Sequence, residues 1–333
     1  MKTIESAKHF IGCDVSKDTL DLALHEKGKD YRIFNHIQVS NNKEGYRNMR
    51  KWLRELGLDI KSVCIGMEHT GSYTVEFSRW CYEHKILFTL LHPLDVKNAG
   101  ARGRNKDDKT DSCFIADYVY TMREKLSPSE PEDPKISKLR MLRNERTLAV
   151  KTRTAYINQM KSHTACESDN RFKKMIKMFD QQIKDIEKEI LKVIKSDQTL
   201  QKNYELLLSL PGIGLVNAVM TIIATGNFTR FQTARQYAKY ACVSPLSNKS
   251  GTSIDKGNHV SKAGHNEIKA VLTEGARSAI VKDSQLRAYY ERKRKEGKTH
   301  GCVMNAVKFK LICRMFAVIK RQSPYVETER YRA

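Results

Sequence analysis

The chain has 333 residues and carries 60 Lys and Arg against 38 Asp and Glu, a formal net charge of +22. This length allows two or three domains with sizeable cores, and the lack of a long apolar run argues against a membrane-spanning protein. The charge is uneven, because residues 1–130 hold 21 basic against 19 acidic side chains and residues 131–333 hold 39 against 19. The second part is therefore expected to bind a polyanion, most simply nucleic acid, with an anionic membrane surface as the less favoured alternative.

The cysteine pattern indicates neither a zinc ribbon nor a redox motif, because the eight cysteines form no CxxC pair. Residues 1–6 contain no apolar signal region. We therefore expect reduced, mostly buried thiols and a cytoplasmic, nucleoid-associated bacterial protein. Cys302 follows His300 by two residues, but two ligands alone are weak evidence for zinc.

Strands and helices alternate in the first part of the chain. Short apolar runs predict five strands, near residues 9–14, 19–24, 31–39, 62–68 and 86–91. Helical spacing and capping residues predict three helices, at about residues 43–56, 71–84 and 108–125. The order β-β-β-α-β-α-β-α predicts a mixed sheet with helices packed on it. This order resembles the α/β RNase H-like fold, in particular its RuvC-type nucleases.

Carboxylates occur at the places where that fold carries its acidic residues. Asp14 ends the first strand and Glu68 ends the fourth, while Asp108 and Asp111 lie three residues apart at the start of the last helix. Carboxylates that converge from strand ends and a helix start can share divalent ions, so we predict a site for Mg²⁺ or Mn²⁺. A solvated helix start with capping carboxylates is the alternative for the helical pair taken alone.

Other acids of the first part are expected to be solvated or to cap helices. These are Asp18, Asp21, Asp107 and Asp117.

Two long helical patterns follow a connector at residues 127–135, which holds three prolines and no apolar side chain. They cover about residues 136–160 and 175–200, with a polar break at 163–171. Their spacing predicts a long helical coiled-coil hairpin, which either packs within the chain or forms a dimer seam with a basic outer face. The predicted domains are residues 1–126, 127–204 and 205–333, the last of them mainly α-helical.

A tight turn with two glycines, Gly212 and Gly214, lies between two apolar helices in the basic part. It resembles the helix-hairpin-helix motif, so we predict that its backbone N–H groups bind a phosphate, with a plain helix–helix turn as the alternative. Further on, the run Arg292, Lys293 and Arg294 predicts phosphate contacts, with a solvated charge run as the alternative.

Residues 243–266 are rich in Ser, Gly and Lys and predict a long polar loop. The chain contains no GxSxG and no Ser-His-Asp pattern at hydrolase spacing. A serine in such a loop could still attack a phosphodiester if nearby cations or a metal activate it.

Motifs along nearly the whole chain point to one family. The N-terminal motifs are Ile11-Gly12-Cys13-Asp14-Val15-Ser16-Lys17, Glu68-His69-Thr70-Gly71-Ser72-Tyr73 and Asn105-Lys106-Asp107-Asp108-Lys109-Thr110-Asp111-Ser112. The C-terminal motifs are Leu210-Pro211-Gly212-Ile213-Gly214, Phe231 to Tyr240, Ser250-Gly251 and Ser261-Lys262-Ala263-Gly264-His265. With these motifs the chain resembles family one-hundred-and-ten of the bacterial insertion-sequence transposases, which includes the Piv-type invertases and the bridge-RNA-guided recombinases.

The family's third acidic motif usually reads Lys-Thr-Asp-x-x-Asp-Ala, and two registers compete for it here. The register that starts at Lys109 keeps Thr and Asp but places Phe114 where the second acid belongs. The register that starts at Lys106 loses the Thr and keeps both acids, Asp108 and Asp111. The second register is favoured because Phe cannot bind a metal ion.

The resemblance implies a DNA recombinase that combines the metal-binding acids with a serine nucleophile. That serine falls on Ser250, with Ser247 and Ser253 as neighbouring alternatives, and Lys249 and Lys262 are the predicted nucleic-acid contacts beside it. A covalent phosphoserine–DNA link, donor and target double-stranded DNA, a structured bridge RNA and homo-oligomers with composite active sites are implied as well, a dimer and, when active, a tetramer.

Two other functions remain open at this point. One is a metal-dependent RuvC-like junction nuclease that uses water as the nucleophile. The other is a non-catalytic protein that binds RNA or DNA.

Overall fold

The computed structural model describes residues 3–30, 34–68, 73–100, 108–162, 168–250, 254–260 and 266–327. The chain forms two compact units, residues 1–132 and 133–333. The first is a mixed α/β unit and the second is mostly helical, which confirms the predicted class of each part. The predicted domain boundaries stay predictions.

The first unit contains a five-stranded mixed sheet in the order β3-β2-β1-β4-β5. The strands are β1 His9–Val15, β2 Thr19–Leu24, β3 Asn35–Ser40, β4 Val63–Glu68 and β5 Leu87–Leu91. The first three strands pair antiparallel, and β4 runs parallel to both β1 and β5. The helices are α1 Lys43–Glu55, α2 Tyr73–Glu83, α3 Pro93–Gly100 and α4 Asp108–Met122.

The predicted order of strands and helices is confirmed, with one helix added. The sequence pattern predicts that Pro93 follows the fifth strand, and Pro93 is also the first residue of α3. Proline suits that position because its fixed φ matches a helix and its missing N–H is not needed there.

The two faces of the sheet have separate cores. Ile11 and Cys13 belong to a cluster with side chains of α1 and α2, such as Met49 and Phe77. Side chains alternate along a strand, so Phe10 faces the other side, where it packs in a cluster with residues of α4. The same alternation puts residues 12 and 14 on the α4 side, which matters for the site described below.

The second unit has one main core, formed by helices from its whole length. The helices are α5 Pro134–Ser162, α6 Ser168–Lys195, α7 Gln198–Leu208, α8 Leu215–Thr225, α9 Ala234–Tyr240, α10 Asn266–Lys282, α11 Ser284–Lys295 and α12 His300–Arg321. Leu139 of α5, Ile190 of α6, Ile222 of α8, Leu272 of α10 and Leu311 of α12 are all buried in that core.

Helices α5 and α6 pack along each other as the predicted helical hairpin. Ion pairs link them, from Arg146 Nε to Glu187 Oε1 at 2.7 Å and from Arg153 Nε to Asp180 Oδ1 at 2.5 Å. The second helix ends earlier than predicted, because the Asp197 side chain accepts hydrogen bonds from two backbone N–H groups and caps the start of α7.

The predicted polar loop around the serine is wrong in part. Two antiparallel strands form there, β6 Leu246–Ser250 and β7 Ile254–His259. The backbone hydrogen bonds between these strands require no alternation of apolar side chains, so the polar sequence gives no signal that predicts the strands. Asn305 of α12 holds the backbone just before β6, because its Nδ2 donates a hydrogen bond to the Val243 carbonyl oxygen at 2.6 Å.

Two further expectations concern the thiols and the membrane. Five of the cysteines that the structure describes are buried and none of those described is paired in a disulfide, in line with the prediction, whereas Cys302 is exposed. Among the helices of the described ranges, none has the length and apolar character needed to cross a membrane.

Candidate active site

The predicted acids of the first unit lie on one face and one end of the sheet. Asp14 is the last residue but one of β1, and Glu68 is the last residue of β4. The parallel register pairs Cys13 with Met67, so Asp14 and Glu68 follow at neighbouring positions on adjacent strands. Both acids alternate onto the side of the sheet that α4 covers.

Gly12 and Gly66 allow α4 to lie directly on this face. A Cβ atom at Gly12 would be only 2.0 Å from the Ser112 carbonyl oxygen and 2.2 Å from the Ala116 backbone nitrogen. A Cβ atom at Gly66 would be 2.1 Å from a methyl carbon of Val119. Backbone therefore contacts backbone where α4 crosses β1. This contact brings the first turn of α4 to the end of the strand that carries Asp14.

That first turn contains Asp108 and Asp111, which are exposed, whereas Asp14 and Glu68 are half-buried. Burial is the largest cause that raises the pKa of the Asp14 carboxyl, and the charges of Asp108, Asp111, Glu68 and Asp21 follow in that order; together they raise it from 3.8 to about 6. Like charges this close disfavour ionisation of the group in the middle. The arrangement therefore concentrates negative charge around Asp14.

This set of donors suits a divalent cation by its chemistry. Hard cations such as Mg²⁺ and Mn²⁺ prefer carboxylate oxygens, and a cation would relieve the repulsion around Asp14. Within the described part of the chain, no three His, Cys, Asp or Glu side chains are already grouped closely enough to hold a metal ion. The charges of Glu68, Asp108 and Asp111 thus act on Asp14, but the four acids do not form a closed coordination shell among the described residues.

Asp21 is the residue that the sequence pattern misses. It was expected to be solvated or capping, but it is only 4% exposed and pairs with Asp14 in the antiparallel register of β1 and β2. Its carboxylate accepts hydrogen bonds from His36 Nε2 at 2.9 Å and Gln38 Nε2 at 3.0 Å, both on β3. These partners become visible only once the register of β2 and β3 is known.

The other three acids in that group behave differently. Asp18 is exposed, as predicted. Asp117 is about half exposed and lies 3.5 Å from His25 Nε2. Asp107 lies outside the described residues.

The raised pKa of Asp14 predicts a pH dependence of stability. Its folded-state pKa of about 6 exceeds the ordinary 3.8, so the folded chain holds this proton more tightly. The stabilisation is complete below about pH 4 and is lost as pH rises through about 6. We expect the wild type to lose about 1–2 kcal/mol relative to Asp14→Asn across this window, allowing for partial exposure.

The measurement is thermal unfolding followed by tryptophan fluorescence. The chain has two tryptophans, Trp52 in α1 and Trp80 in α2, so the signal reports the first unit. The difference between the midpoints of wild type and Asp14→Asn should widen from pH 4 to pH 7. A constant difference would contradict the raised pKa.

The predicted serine lies at the end of β6 in the second unit, where the backbone of Ser250 pairs with Ile254. The side chains of Ser250, Ser247 and Lys249 lie outside the described residues, as do Ser253 and Lys262 entirely. Their placement relative to the acids is therefore a matter for the proposal below.

The two glycines of the predicted phosphate-binding turn have different environments. Gly212 has a φ of +89°, and a Cβ atom there would be 2.5 Å from the Gly275 carbonyl oxygen of α10. Gly212 is thus needed both for the turn and for close packing. Gly214 is the N-cap of α8 and has open space around its Cα. Of the two, Gly214 is the better placed for the predicted phosphate contact.

The predicted basic run lies in the last turn of α11. Lys293 Nζ is 2.6 Å from Glu296 Oε2, and Arg292 Nε is 3.9 Å from Glu296 Oε1. Arg294 Nη1 donates to the Lys298 carbonyl oxygen at 2.6 Å. One glutamate therefore faces two of the cations, so the run keeps a positive charge that a phosphate backbone could meet.

Comparisons with known proteins cover both units. Residues 11–165 match a family model described as a transposase, and residues 204–291 match one described as the transposase IS116/IS110/IS902 family. The chain is 26% identical to a pilin gene-inverting protein of Moraxella bovis and 25% identical to that of Moraxella lacunata, over 331 residues in each case. Both alignments cover 96% of this chain and 98% of the relative.

A third relative matches over a shorter stretch. It is an insertion element IS110 uncharacterized 43.6 kDa protein of Streptomyces coelicolor, 33% identical over 114 residues, which is 34% of this chain and 28% of the relative. The two family models match different parts of the chain, and the Moraxella alignments run through both. The chain belongs to the IS110 family of transposases.

Proposed function

We propose that this transposase is a DNA recombinase that cuts and rejoins strands by using the acids of its first unit and a serine of its second. The observation that carries the proposal is the convergence of Glu68, Asp108 and Asp111 on Asp14. The relatives named for inverting a pilin gene support strand exchange as the reaction, because inverting a DNA segment requires strands to be cut and rejoined.

An RNase H-like fold is proposed for the first unit. In support, three antiparallel strands are followed by two parallel ones in the order β3-β2-β1-β4-β5. The acids lie at the end of β1, the end of β4 and the start of α4, where a RuvC-type nuclease carries its own.

Asp14, Glu68, Asp108 and Asp111 would hold Mg²⁺, or Mn²⁺ in its place. When bound, the ion polarises the scissile phosphate and stabilises its developing charge. The chain itself supplies the rigid support for this site, since strand ends and the first turn of a helix fix the carboxylates. The Gly12 contact with α4 sets the spacing between the strand acid and the helix acids.

Ser250 is proposed as the nucleophile. Its Oγ forms a bond to the phosphorus of the DNA strand, the bond from phosphorus to one deoxyribose oxygen breaks, and the serine proton ends on that oxygen. The covalent link keeps the energy of the phosphodiester, so a second DNA end can reverse the step and rejoin strands without a nucleotide cofactor.

The basic second unit is proposed to hold nucleic acid. The contacts proposed are those predicted from the sequence, namely Gly212, Gly214, Lys249, Lys262, Arg292, Lys293 and Arg294. The partners are donor and target double-stranded DNA and a structured bridge RNA whose base pairing would supply sequence specificity. The α5–α6 hairpin is proposed as the coiled-coil interface of a homo-oligomer. In such an oligomer, Ser250 of one copy would complete the active site that contains the acids of another copy.

A junction nuclease with water as nucleophile is the second candidate. The observation that favours it is that the acidic group is complete within residues 1–132 and needs no serine to form. It predicts cleavage without a covalent protein–DNA intermediate.

Trapping of the intermediate separates these two functions. We expect the wild type, purified together with any RNA that it binds and incubated with Mg²⁺ and a nicked DNA substrate, to yield a denaturant-resistant protein–DNA adduct. Ser250→Ala should lose the adduct and the rejoined product, whereas Ser247→Ala and Ser253→Ala should keep both. An adduct that persists in Ser250→Ala would contradict the serine assignment, and cleavage without any adduct would favour the junction nuclease.

A further inference from the structure

Asp21 differs from the other acids near the site because it is almost fully buried. Its exposed fraction is 4%, whereas Asp14 and Glu68 are half-buried and the helix acids are exposed. A buried carboxylate is costly unless hydrogen-bond donors stabilise it. A carboxylate kept there in spite of that cost, beside four others, requires a physical explanation.

The sheet places Asp21 directly beside Asp14. The two residues are partners in the antiparallel register of β1 and β2, so their Cβ atoms are about 5 Å apart and on the same face. Like charges at such a pair of positions destabilise a sheet. Asp21 is also close enough for its charge to act on the Asp14 carboxyl group.

Two donors from β3 hold the Asp21 carboxylate. His36 Nε2 lies 2.9 Å from Oδ1, and Gln38 Nε2 lies 3.0 Å from Oδ2 and 3.3 Å from Oδ1. In the sheet order β3-β2-β1, these donors are on the opposite side of β2 from Asp14. Both oxygens are therefore engaged by groups that lie away from the other acids.

We propose that Asp21 is a positioning residue whose fixed charge strengthens divalent-cation binding by Asp14, Glu68, Asp108 and Asp111, while His36 and Gln38 keep it from becoming a ligand itself. This inference rests on the metal site of the proposed function. It assigns to β2 and β3 a part in the site that neither strand's sequence pattern indicates.

The expected size of the effect follows from Coulomb's law. A charge of −1 near a cation of +2, at a distance of several ångströms and an effective dielectric constant between those of protein and water, changes the binding constant by about tenfold. Asp21→Asn removes this charge and keeps the shape of the side chain. The side-chain oxygen of Asn can still accept from one of the two donors.

The test is a titration of the full-length chain, freed of nucleic acid and metal, with Mn²⁺ in a calorimeter. We expect Asp21→Asn to bind Mn²⁺ about tenfold more weakly than the wild type, and its apo form to unfold at the same or a higher temperature because a repulsion is gone. A purely structural Asp21 would give the opposite pair of results, a lower unfolding temperature and unchanged affinity. That outcome would overturn the inference.

Two control variants separate this inference from the metal site itself. Asp18→Asn removes an exposed acid from the same hairpin and should leave the affinity unchanged. Asp14→Asn should abolish binding at the site. If Asp14→Asn binds Mn²⁺ like the wild type, the proposed metal site is wrong. If Asp14→Asn loses binding and Asp21→Asn does not weaken it, only the role of Asp21 is wrong.

Discussion

Asp14→Asn is expected to stabilise the first unit at neutral pH and at the same time to reduce recombination at least about a hundredfold. Substitutions outside the first ligand shell of a metal cost about 10–100-fold, so loss of a proposed ligand should cost at least as much. The gain in stability follows because an amide escapes both the desolvation and the repulsion that raise the pKa of Asp14. Opposite changes in stability and activity are typical of a functional site whose charges are held together by the fold.

The measurement pairs an unfolding midpoint with a strand-exchange assay at pH 7.5 and saturating Mg²⁺. We expect the tryptophan signal of Asp14→Asn to show a midpoint several degrees above that of the apo wild type. The matched control is Asp59→Asn, which removes an acid whose side chain accepts from the Lys61 N–H in a surface turn. Full activity in Asp14→Asn would refute the role of Asp14 as a metal ligand. An unfolding midpoint below that of the wild type would refute the proposed repulsion between Asp14 and the neighbouring carboxylates.

The sequence predicts the acids at the sheet end because their positions depend on local patterns. Apolar runs that stop at Asp14 and Glu68 mark strand ends. The acidic stretch before a segment with apolar residues at helical spacing marks the start of a helix. These signals require no knowledge of which strands are neighbours. The spatial order of the strands, β3-β2-β1-β4-β5, is not among these local signals and comes from the structure.

What the sequence does not predict depends on contacts between distant segments. Asp21 reads as the polar residue of an alternating strand, and only the pairing of β2 with β3 supplies the two donors that hold it. The strands β6 and β7 lack apolar alternation and, within the described residues, form a two-stranded sheet with each other. The break between α6 and α7 depends on one capping carboxylate, Asp197, inside a continuous helical pattern.

The packing role of Gly12 is likewise not visible in the sequence, yet its substitution is expected to have the largest effect on the stability of the first unit. In Gly12→Ala the new methyl group would lie 2.0 and 2.2 Å from backbone atoms of α4, which no side-chain rotation can relieve. The helix would have to move away from β1 by more than an ångström. Overpacking of a core lowers the free energy of unfolding by about 1–3 kcal/mol. We expect about 3 kcal/mol here, the upper end of that range, because the clash is with backbone atoms.

The same displacement should affect catalysis, because α4 carries Asp108 and Asp111 towards Asp14. A misplacement of about 1 Å can cost about a hundredfold in rate, so we expect Gly12→Ala to lose strand exchange even at temperatures where it stays folded. Gly66→Ala is the matched comparison on the same face of the sheet. Its methyl group would meet a side-chain methyl of Val119 rather than backbone, so a smaller loss of both stability and activity is expected.

Gly301→Ala serves as the neutral control, since a Cβ atom there meets no atom within 4 Å and alanine favours a helix. Unfolding followed by tryptophan fluorescence and a Mn²⁺ titration of each variant separate the two consequences. Gly12→Ala should show both a lower midpoint and weaker binding of Mn²⁺, because the acids of α4 no longer reach the end of β1. If it binds Mn²⁺ as tightly as Gly301→Ala does, the close contact between β1 and α4 is not what positions the helix acids.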